Sequence, residues 1–497
     1  MLAENRANSP VSSVATYPLV EDTAPATLLF RPRESAAPQT SARICLADQI
    51  RFTLLFLPIV LIAVQSYYKS TILHGLGTIS PVGGDAIYWG VRAVLFGSFL
   101  YMLFAKSPIS IARPDRPLDL YAEERSARDP LLGLRGLACL NVFFGHWFMV
   151  VFGPAVPAPT SGEYALRTAL SFSPWCGVWM FFTLSGYLMG KGFVTGRHSV
   201  DRAGLKHFYR NRVLRIFPIY FISIFLVAVF VNPTYLDFRE PSAVRCFFEA
   251  GLFDQQTGGA IGALWSVSTE FQFYLLAPLL FLLLSQCFKR DFTRVACTVG
   301  LCVAFAIIKL SILKHAPQHW LPRIYMPLLL NLDCFIAGMT TAFTVNGLLK
   351  AKRYVPYGLT LGIVATVLAQ VVYSTWSFHE MCAYEGFPGS STRFHYLACA
   401  PGVTTLLTCL IIGLFELSRR KSGRSNFAWR VSTTLGVLTY CLYVFHEPVL
   451  LSLRKLAPPT LTIEWSLIAC PFGLLVSIAV AYIFYYFVEL RFDKIRK

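Results

Sequence analysis

Long apolar stretches alternate with short polar segments along this chain from residue 52 onward. A run of about 20 mostly apolar residues has the length of a membrane-spanning helix. The apolar pattern predicts about twelve such helices, at 52–67, 85–104, 130–153, 174–194, 213–232, 261–284, 294–313, 325–345, 355–373, 397–416, 431–452 and 466–488. The expected fold is therefore an all-α polytopic membrane protein.

The polar segments divide the chain into five parts. Residues 1–49 are polar with scattered Pro, Ser and Thr, which predicts a disordered cytosolic tail. Residues 50–104 hold two helices, and 105–128, with prolines among mixed charges, form a cytosolic linker. Residues 129–490 hold the remaining ten helices as one body, and 491–497 are expected to be a cytosolic C-terminal tail.

Composition and charge support the membrane class and suggest an orientation. The chain is 55% hydrophobic and 14% charged, whereas soluble proteins carry about a quarter charged residues. Basic residues concentrate in alternate connections: 191–215 has seven against one acid, and 233–260 has two against four acids. Cytosolic loops collect Lys and Arg, so this alternation places both termini in the cytosol. It also accounts for the net charge of +17 without a nucleic-acid partner, and the choice between plasma membrane and endomembrane stays open.

Two ionisable groups share one face of the third predicted helix. Arg135 and His146 are eleven residues apart, close to three helical turns and about 16 Å along the axis. An ionised group at the bilayer centre costs about 2.5–3.5 kcal/mol on insertion scales, so an ionisable residue at that depth is expected to have a structural or functional role. Arg135 is expected near the cytosolic interface, where it reaches water or binds an anion such as a phosphate. His146, nearer mid-membrane, is either a hydrogen-bonded core residue or a general base.

Further polar residues are expected at successive depths. Glu270, in LWSVSTEFQFY, lies near mid-depth and would orient the ring of His146 or bond a neighbouring helix. Asp333 and His446 are expected in the outer half of the membrane, and Lys309 is expected to extend to water. The 13 cysteines show no spacing with each other or with histidine that is typical of zinc, so no metal site is predicted.

Two other stretches are candidate donor contacts. Ser185 precedes a glycine in FFTLSGYLMG, and such a pair permits either close helix packing or the passage of a thin pantetheine-like arm. HFYRNRVLRIFPIY contains Arg212, Arg215 and Tyr220 at a predicted cytosolic helix start. It is either a topology anchor or a phosphate-binding rim.

Taken together, six stretches within roughly 129–490 resemble the acyltransferase-3 family of the transmembrane acyl transferase superfamily. Arg135 through His146 matches the family's R-x10-H signature. The other stretches that resemble its patterns, in the family's order, are FFTLSGYL, RNRVLRIFPIY, LWSVSTEFQFYLLAPLL, TYCLYVFHEPVL and YYFVELRF. Two predicted helices precede the ten that the family has.

The resemblance implies transfer of an acyl group, usually acetyl, from cytosolic acyl-CoA to a hydroxyl of a glycan, glycolipid, other lipid or small metabolite. It implies a catalytic role for His146 and an essential role for Arg135. Acyl-CoA would then be the donor substrate, with no permanently bound cofactor. On this hypothesis His146, oriented by Glu270, deprotonates the acceptor or carries the acyl group itself.

The remaining candidates receive subsidiary roles on the same hypothesis. Donor contacts are expected from Arg135, Ser185, Arg212, Arg215 and Tyr220. The acceptor side, or structural support, is expected from Trp265, Asp333 and His446.

Three other functions fit the same polar groups. A proton-coupled transporter would use them for its substrate, although the absence of an internal repeat and of paired broken helices disfavours it. A membrane-bound O-acyltransferase of the unrelated eukaryotic type would need His446 and could dispense with Arg135. An inactive scaffold of the acyltransferase fold would need neither residue.

Overall fold

The computed structural model describes residues 130–152, 172–230, 261–315, 324–353, 360–386, 391–418, 427–457 and 463–496, with a few isolated earlier positions. The predicted N-terminal tail and linker lie outside the described residues, as do nearly all positions of the first two predicted helices. The predicted C-terminal tail is helical as far as residue 496.

Ten long helices occupy the described part of the chain, one for each helix predicted in the body. They are α1 (Pro130–His146), α2 (Pro174–Val194), α3 (Arg202–Phe230), α4 (Leu264–Cys287), α5 (Asp291–His315), α6 (Leu328–Lys350), α7 (Thr360–Gly386), α8 (Ser391–Leu417), α9 (Phe427–Leu456) and α10 (Ile463–Phe484). A π-helical segment, Trp147–Phe152, continues α1, and a second, Tyr485–Glu489, joins α10 to the short α11 (Leu490–Arg496). Eight helical segments among the described residues are long and apolar enough to cross a membrane. The chain is therefore a helical, multi-pass membrane protein.

The start of α3 lies 11 residues before the predicted one. The predicted helix begins at residue 213, whereas α3 begins at Arg202 and includes the basic stretch before the apolar run. Arginine and lysine are good helix formers, so a helix continues through them after hydropathy has fallen. Hydropathy therefore located the apolar part of α3 and missed its basic first three turns.

Glycines let the central helices approach until backbone touches backbone. α2 packs most extensively against α6, and α1 packs similarly against α9. A Cβ on Gly186 would collide with the carbonyl oxygen of Phe335, and one on Gly338 would collide with that of Thr183. Gly436 of α9 lies as tightly against α1. The close-packing interpretation of Gly186 is therefore confirmed, as small residues at membrane helix interfaces require.

An ion pair lies buried between α5 and α6. Lys309 Nζ is 3.0 Å from Asp333 Oδ2, and the two side chains are 1% and 3% exposed. The expectation that Lys309 extends to water is therefore wrong, because a carboxylate on the neighbouring helix neutralises the ammonium group inside the protein. For Asp333 this contact favours the structural alternative.

The N-terminus of α4 is capped by a residue from another helix. The backbone N–H of Ala263 donates to the carboxylate of Glu447, on α9, at 2.7 Å, and Ala263 has no side-chain cap of its own. A carboxylate at this position bonds an otherwise unpaired N–H and complements the helix dipole.

Substituting Glu447 is expected to weaken the protein measurably. Glu447→Ala removes the cap and should lower the free energy of unfolding by about 1–2 kcal/mol. Thermal unfolding in detergent would measure the loss. Glu447→Gln keeps a hydrogen-bond acceptor and should lose less. Equal transition temperatures for wild type and Glu447→Ala would show that the contact contributes nothing.

Candidate active site

A cavity of about 610 Å³ lies among α1, α2, α3, α4 and α9 and the C-terminal segment, which consists of the second π-helical segment and α11 (485–496). Basic groups outnumber acidic ones on its walls. The charged side chains that line it are Arg135, Arg197, Arg212, Arg215, Glu270 and Asp493. Such a wall is suited to a ligand that carries several negative charges.

The arginines predicted to contact the acyl donor differ in whether a carboxylate of the protein already pairs with their guanidinium group. Arg215 forms an ion pair with Glu489 of the second π-helical segment. Arg212 lies between the rings of Phe208 and Tyr274, 5.4 and 5.2 Å from their centroids, and its buried Nε atom has no hydrogen-bond partner.

Arg135 is half-buried at the cavity wall. In the part of the chain that the structure describes, neither Arg135 nor Arg212 forms an ion pair with a carboxylate. These two guanidinium groups therefore keep donors available for a ligand.

Glu270 belongs to this cavity and makes the second of its two predicted contacts, a hydrogen bond to a neighbouring helix. Its carboxylate accepts hydrogen bonds from Ser185 and from Tyr274, and it interacts electrostatically with Arg135. The expected contact between Glu270 and His146 is wrong. The reason lies in the packing, because α4 contacts α2, α3 and α6, whereas α1 packs against α2 and α9.

His146 instead pairs with His446. Its Nδ1 atom is 2.7 Å from Nε2 of His446, with ring planes 11° apart and centroids 5.0 Å apart. His446 is 1% exposed, and its Nδ1 lies 2.6 Å from the carbonyl oxygen of Tyr443. Tyr443 lines the cavity, whereas His146 is outside the lining that the structure describes. A chain of contacts thus leads from the cavity wall through Tyr443 and His446 to His146.

His198, in the connection between α2 and α3, lines another part of the cavity. His198 packs against the rings of Phe193 and Phe208. Burial, reinforced by the charges of Arg212 and Arg197, lowers the pKa of His198 to about 4. The imidazole is therefore neutral at neutral pH and adds no positive charge to the cavity.

Two predicted site residues lie in packed surroundings. The structure places Tyr220 in the core, fully buried against Phe217 and Phe221, and it is not among the residues lining the cavity. Trp265 packs against Phe182 and Tyr325 and is also outside the lining.

The sequence reasoning missed several residues of the site, among them Tyr274, Ser266 and Tyr443. Tyr274 is one helical turn after Glu270 on the same face, so the i, i+4 spacing offered a signal. The hydroxyl oxygens of Ser266 and Tyr443, which both line the cavity, are hydrogen-bonded at 2.5 Å. They are 177 positions apart, and no spacing rule connects them.

Comparison with known proteins gives a family and several distant relatives. Residues 131–486 match the acyltransferase-3 family, described as "Acyltransferase domain". The chain is 22% identical over 304 residues to peptidoglycan O-acetyltransferase OatA of Listeria monocytogenes, covering 58% of this chain and 46% of that protein. It is 22% identical over 335 residues to putative peptidoglycan O-acetyltransferase YrhL of Bacillus subtilis, covering 63% and 49%.

A further relative is O-acetyltransferase OatA of Staphylococcus aureus, 26% identical over 297 residues, covering 55% of this chain and 45% of that protein. The chain spans about half the length of these relatives. No solved structure matches it.

Proposed function

We propose, on the premise that this chain belongs to the acyltransferase-3 family, that it is an integral-membrane O-acetyltransferase with acetyl-CoA as its donor. The observation that carries the proposal is the arginine-lined cavity, in which Arg135 and Arg212 keep unused donors. The cavity wall leads through Tyr443 to the paired imidazoles of His446 and His146. A binding region for anions thus lies beside a candidate base.

The cavity suits the nucleotide end of acyl-CoA. A guanidinium is permanently charged and binds phosphate oxygens through two parallel hydrogen bonds. Arg135 and Arg212 hold the donor's phosphates, and the Glu270 carboxylate, bonded to Ser185 and Tyr274, helps to orient Arg135. Arg215 is held by Glu489 and supports the wall. The thioester arm then points from the phosphates towards the histidine pair.

The chemistry takes place at His146. Its Nε2 accepts the proton of the acceptor hydroxyl as that oxygen attacks the thioester carbonyl. The new C–O bond forms, the C–S bond breaks, and the CoA thiolate leaves and takes up a proton. A second route first moves the acetyl group to His146 and then to the acceptor. Kinetic order distinguishes them, since direct transfer requires a ternary complex and the acetyl-histidine route gives ping-pong kinetics.

The acceptor is proposed to be a glycan hydroxyl. Two of the relatives are described as peptidoglycan O-acetyltransferases, one of them putatively, and this chain spans about half of their length. The orientation proposed from the alternating charged connections puts both termini, and the basic start of α3, on the cytosolic side. Acetyl-CoA would then enter from the cytosol.

The donor site can be tested without knowing the acceptor. A ligand that binds only the folded state raises apparent stability by mass action. Acetyl-CoA should therefore stabilise the wild-type protein in detergent, and Arg135→Ala or Arg212→Ala should weaken its binding by about 10- to 100-fold, since a charged hydrogen bond contributes about 1.5–3 kcal/mol. Thermal unfolding against rising acetyl-CoA would measure this.

Arg210→Ala is the matched control, because Arg210 is an exposed arginine on the same helix and lies outside the cavity lining. It should bind acetyl-CoA as the wild type does. S-acetylpantetheine, which lacks the nucleotide phosphates, should stabilise the protein far less. If acetyl-CoA leaves the wild-type transition unchanged, the proposed donor is wrong.

A further inference from the structure

The contacts of the histidine pair determine where its protons lie. A backbone carbonyl only accepts hydrogen bonds, so the imidazole nitrogen 2.6 Å from the Tyr443 oxygen carries a proton. That nitrogen is Nδ1 of His446. In a neutral imidazole the other nitrogen then has a lone pair and accepts. His446 therefore presents an acceptor, Nε2, to its neighbour.

The neighbour must donate to that acceptor. Nδ1 of His146 lies 2.7 Å from Nε2 of His446, and two lone pairs at this distance would repel each other. Nδ1 of His146 therefore carries its proton, and Nε2 of a neutral His146 has the lone pair. Among the described residues, no hydrogen bond is made to Nε2 of His146, whose side chain is only part-buried.

A charged His446 would reverse this arrangement, but its surroundings disfavour the charge. The ring is 1% exposed, and burying an unpaired cation is costly. The adjacent carboxylate, Glu447, is directed to the backbone N–H of Ala263 at the start of α4. His446 is therefore best described as neutral, with a fixed tautomer.

We propose that His446 is a positioning residue that holds His146 in the tautomer with the proton on Nδ1, so that Nε2 is free to take a proton or an acetyl group. The carbonyl oxygen of Tyr443 fixes the tautomer of His446, and Nε2 of His446 in turn fixes the tautomer of His146. The chemical role rests on the proposed function, whereas the tautomer itself follows from the contacts alone.

The tautomer can be observed without any activity. In protein labelled with ¹⁵N-histidine, the His146 signals are identified by their loss in His146→Ala. The expected spectrum shows a protonated Nδ1 and an unprotonated Nε2 for His146 in the wild type. His446→Phe, which keeps a ring but removes the acceptor, should abolish this preference. A wild-type His146 protonated on Nε2 would overturn the inference.

The catalytic consequence is tested with ¹⁴C-acetyl-CoA and membranes that contain the protein, by following label into their glycan and lipid fraction. His446→Phe should lose about 100-fold or more in kcat, with the KM for acetyl-CoA unchanged. His446→Gln supplies an amide oxygen as acceptor and should recover activity to within about tenfold of the wild type. Acetyl-CoA should still stabilise both variants, which shows that they fold.

The outcomes separate the inference from the proposed function. Full activity in His446→Phe, or a His446→Gln variant as impaired as His446→Phe, would overturn the positioning role. A wild type that transfers no acetyl group from acetyl-CoA would count against the proposed function, and the ¹⁵N spectrum would then decide the tautomer by itself.

Discussion

Replacing His146 by alanine is expected to abolish acetyl transfer and to leave acetyl-CoA binding intact. The two properties separate because His146 is outside the lining of the arginine cavity and pairs with His446. Loss of a general base costs about 10²- to 10⁴-fold in rate, and loss of a nucleophile costs at least as much. Label transfer from ¹⁴C-acetyl-CoA in membranes measures the first property, and the thermal shift with acetyl-CoA measures the second.

His315→Ala is the matched control, because His315 is an exposed histidine at the end of α5. It should keep both transfer and binding. Wild-type transfer rates in His146→Ala would remove His146 from the chemistry. Loss of acetyl-CoA binding together with transfer would instead place His146 in the donor site.

Breaking the buried ion pair from one side is expected to destabilise the protein severely. Asp333→Ala leaves the Lys309 ammonium group in a site where the side chain is 1% exposed. Removing one partner of a buried pair typically costs about 3–5 kcal/mol, because the remaining charge has no compensation. The midpoint of thermal unfolding in detergent, or the yield of folded protein, should fall sharply.

The double variant Lys309→Met with Asp333→Leu separates structure from function. An apolar pair of similar size usually matches a buried ion pair in stability, so most of the loss should be recovered. If Asp333 only supports the fold, this double variant also transfers acetyl groups normally. A stable but inactive double variant would assign Asp333 to the reaction, and an Asp333→Ala protein as stable as wild type would contradict the structural role.

The sequence allowed all ten helices of the body to be predicted, and it also predicted part of the cavity lining, namely Arg135, Ser185, Arg212, Arg215 and Glu270. Hydropathy reports how long a segment stays apolar, which located α1 and α2 to within a few residues. It missed the start of α3, because the charged turns from Arg202 onward remain helical outside the apolar run. For the Ser-Gly pair of α2, close packing is confirmed at Gly186, whereas Ser185 lines the cavity and passage of a pantetheine-like arm beside it stays a prediction.

Contacts between side chains on different helices were less predictable than the depth of each residue in the membrane. Glu270 and His146 were expected at similar depths, yet a depth does not say which neighbour a side chain faces. Three-dimensional packing put Glu270 beside Ser185 and put His146 beside His446, 300 positions away. The partner of Lys309 was hidden for the same reason, because Asp333 is on the next helix and no local spacing rule joins them.

The glycine contacts between α2 and α6 also determine which wall of the cavity can move. Where backbones touch at Gly186 and Gly338, no side chain can rotate to let the helices part. α3 is joined to α9 and the C-terminal segment through side chains, including the Arg215–Glu489 ion pair and the bond from Tyr440 to a carbonyl of α3 at 2.6 Å. Side-chain contacts can break and re-form within the folded state, so α3 is expected to be the wall that yields when a bulky ligand enters or leaves, with α2 as the fixed reference against which it moves.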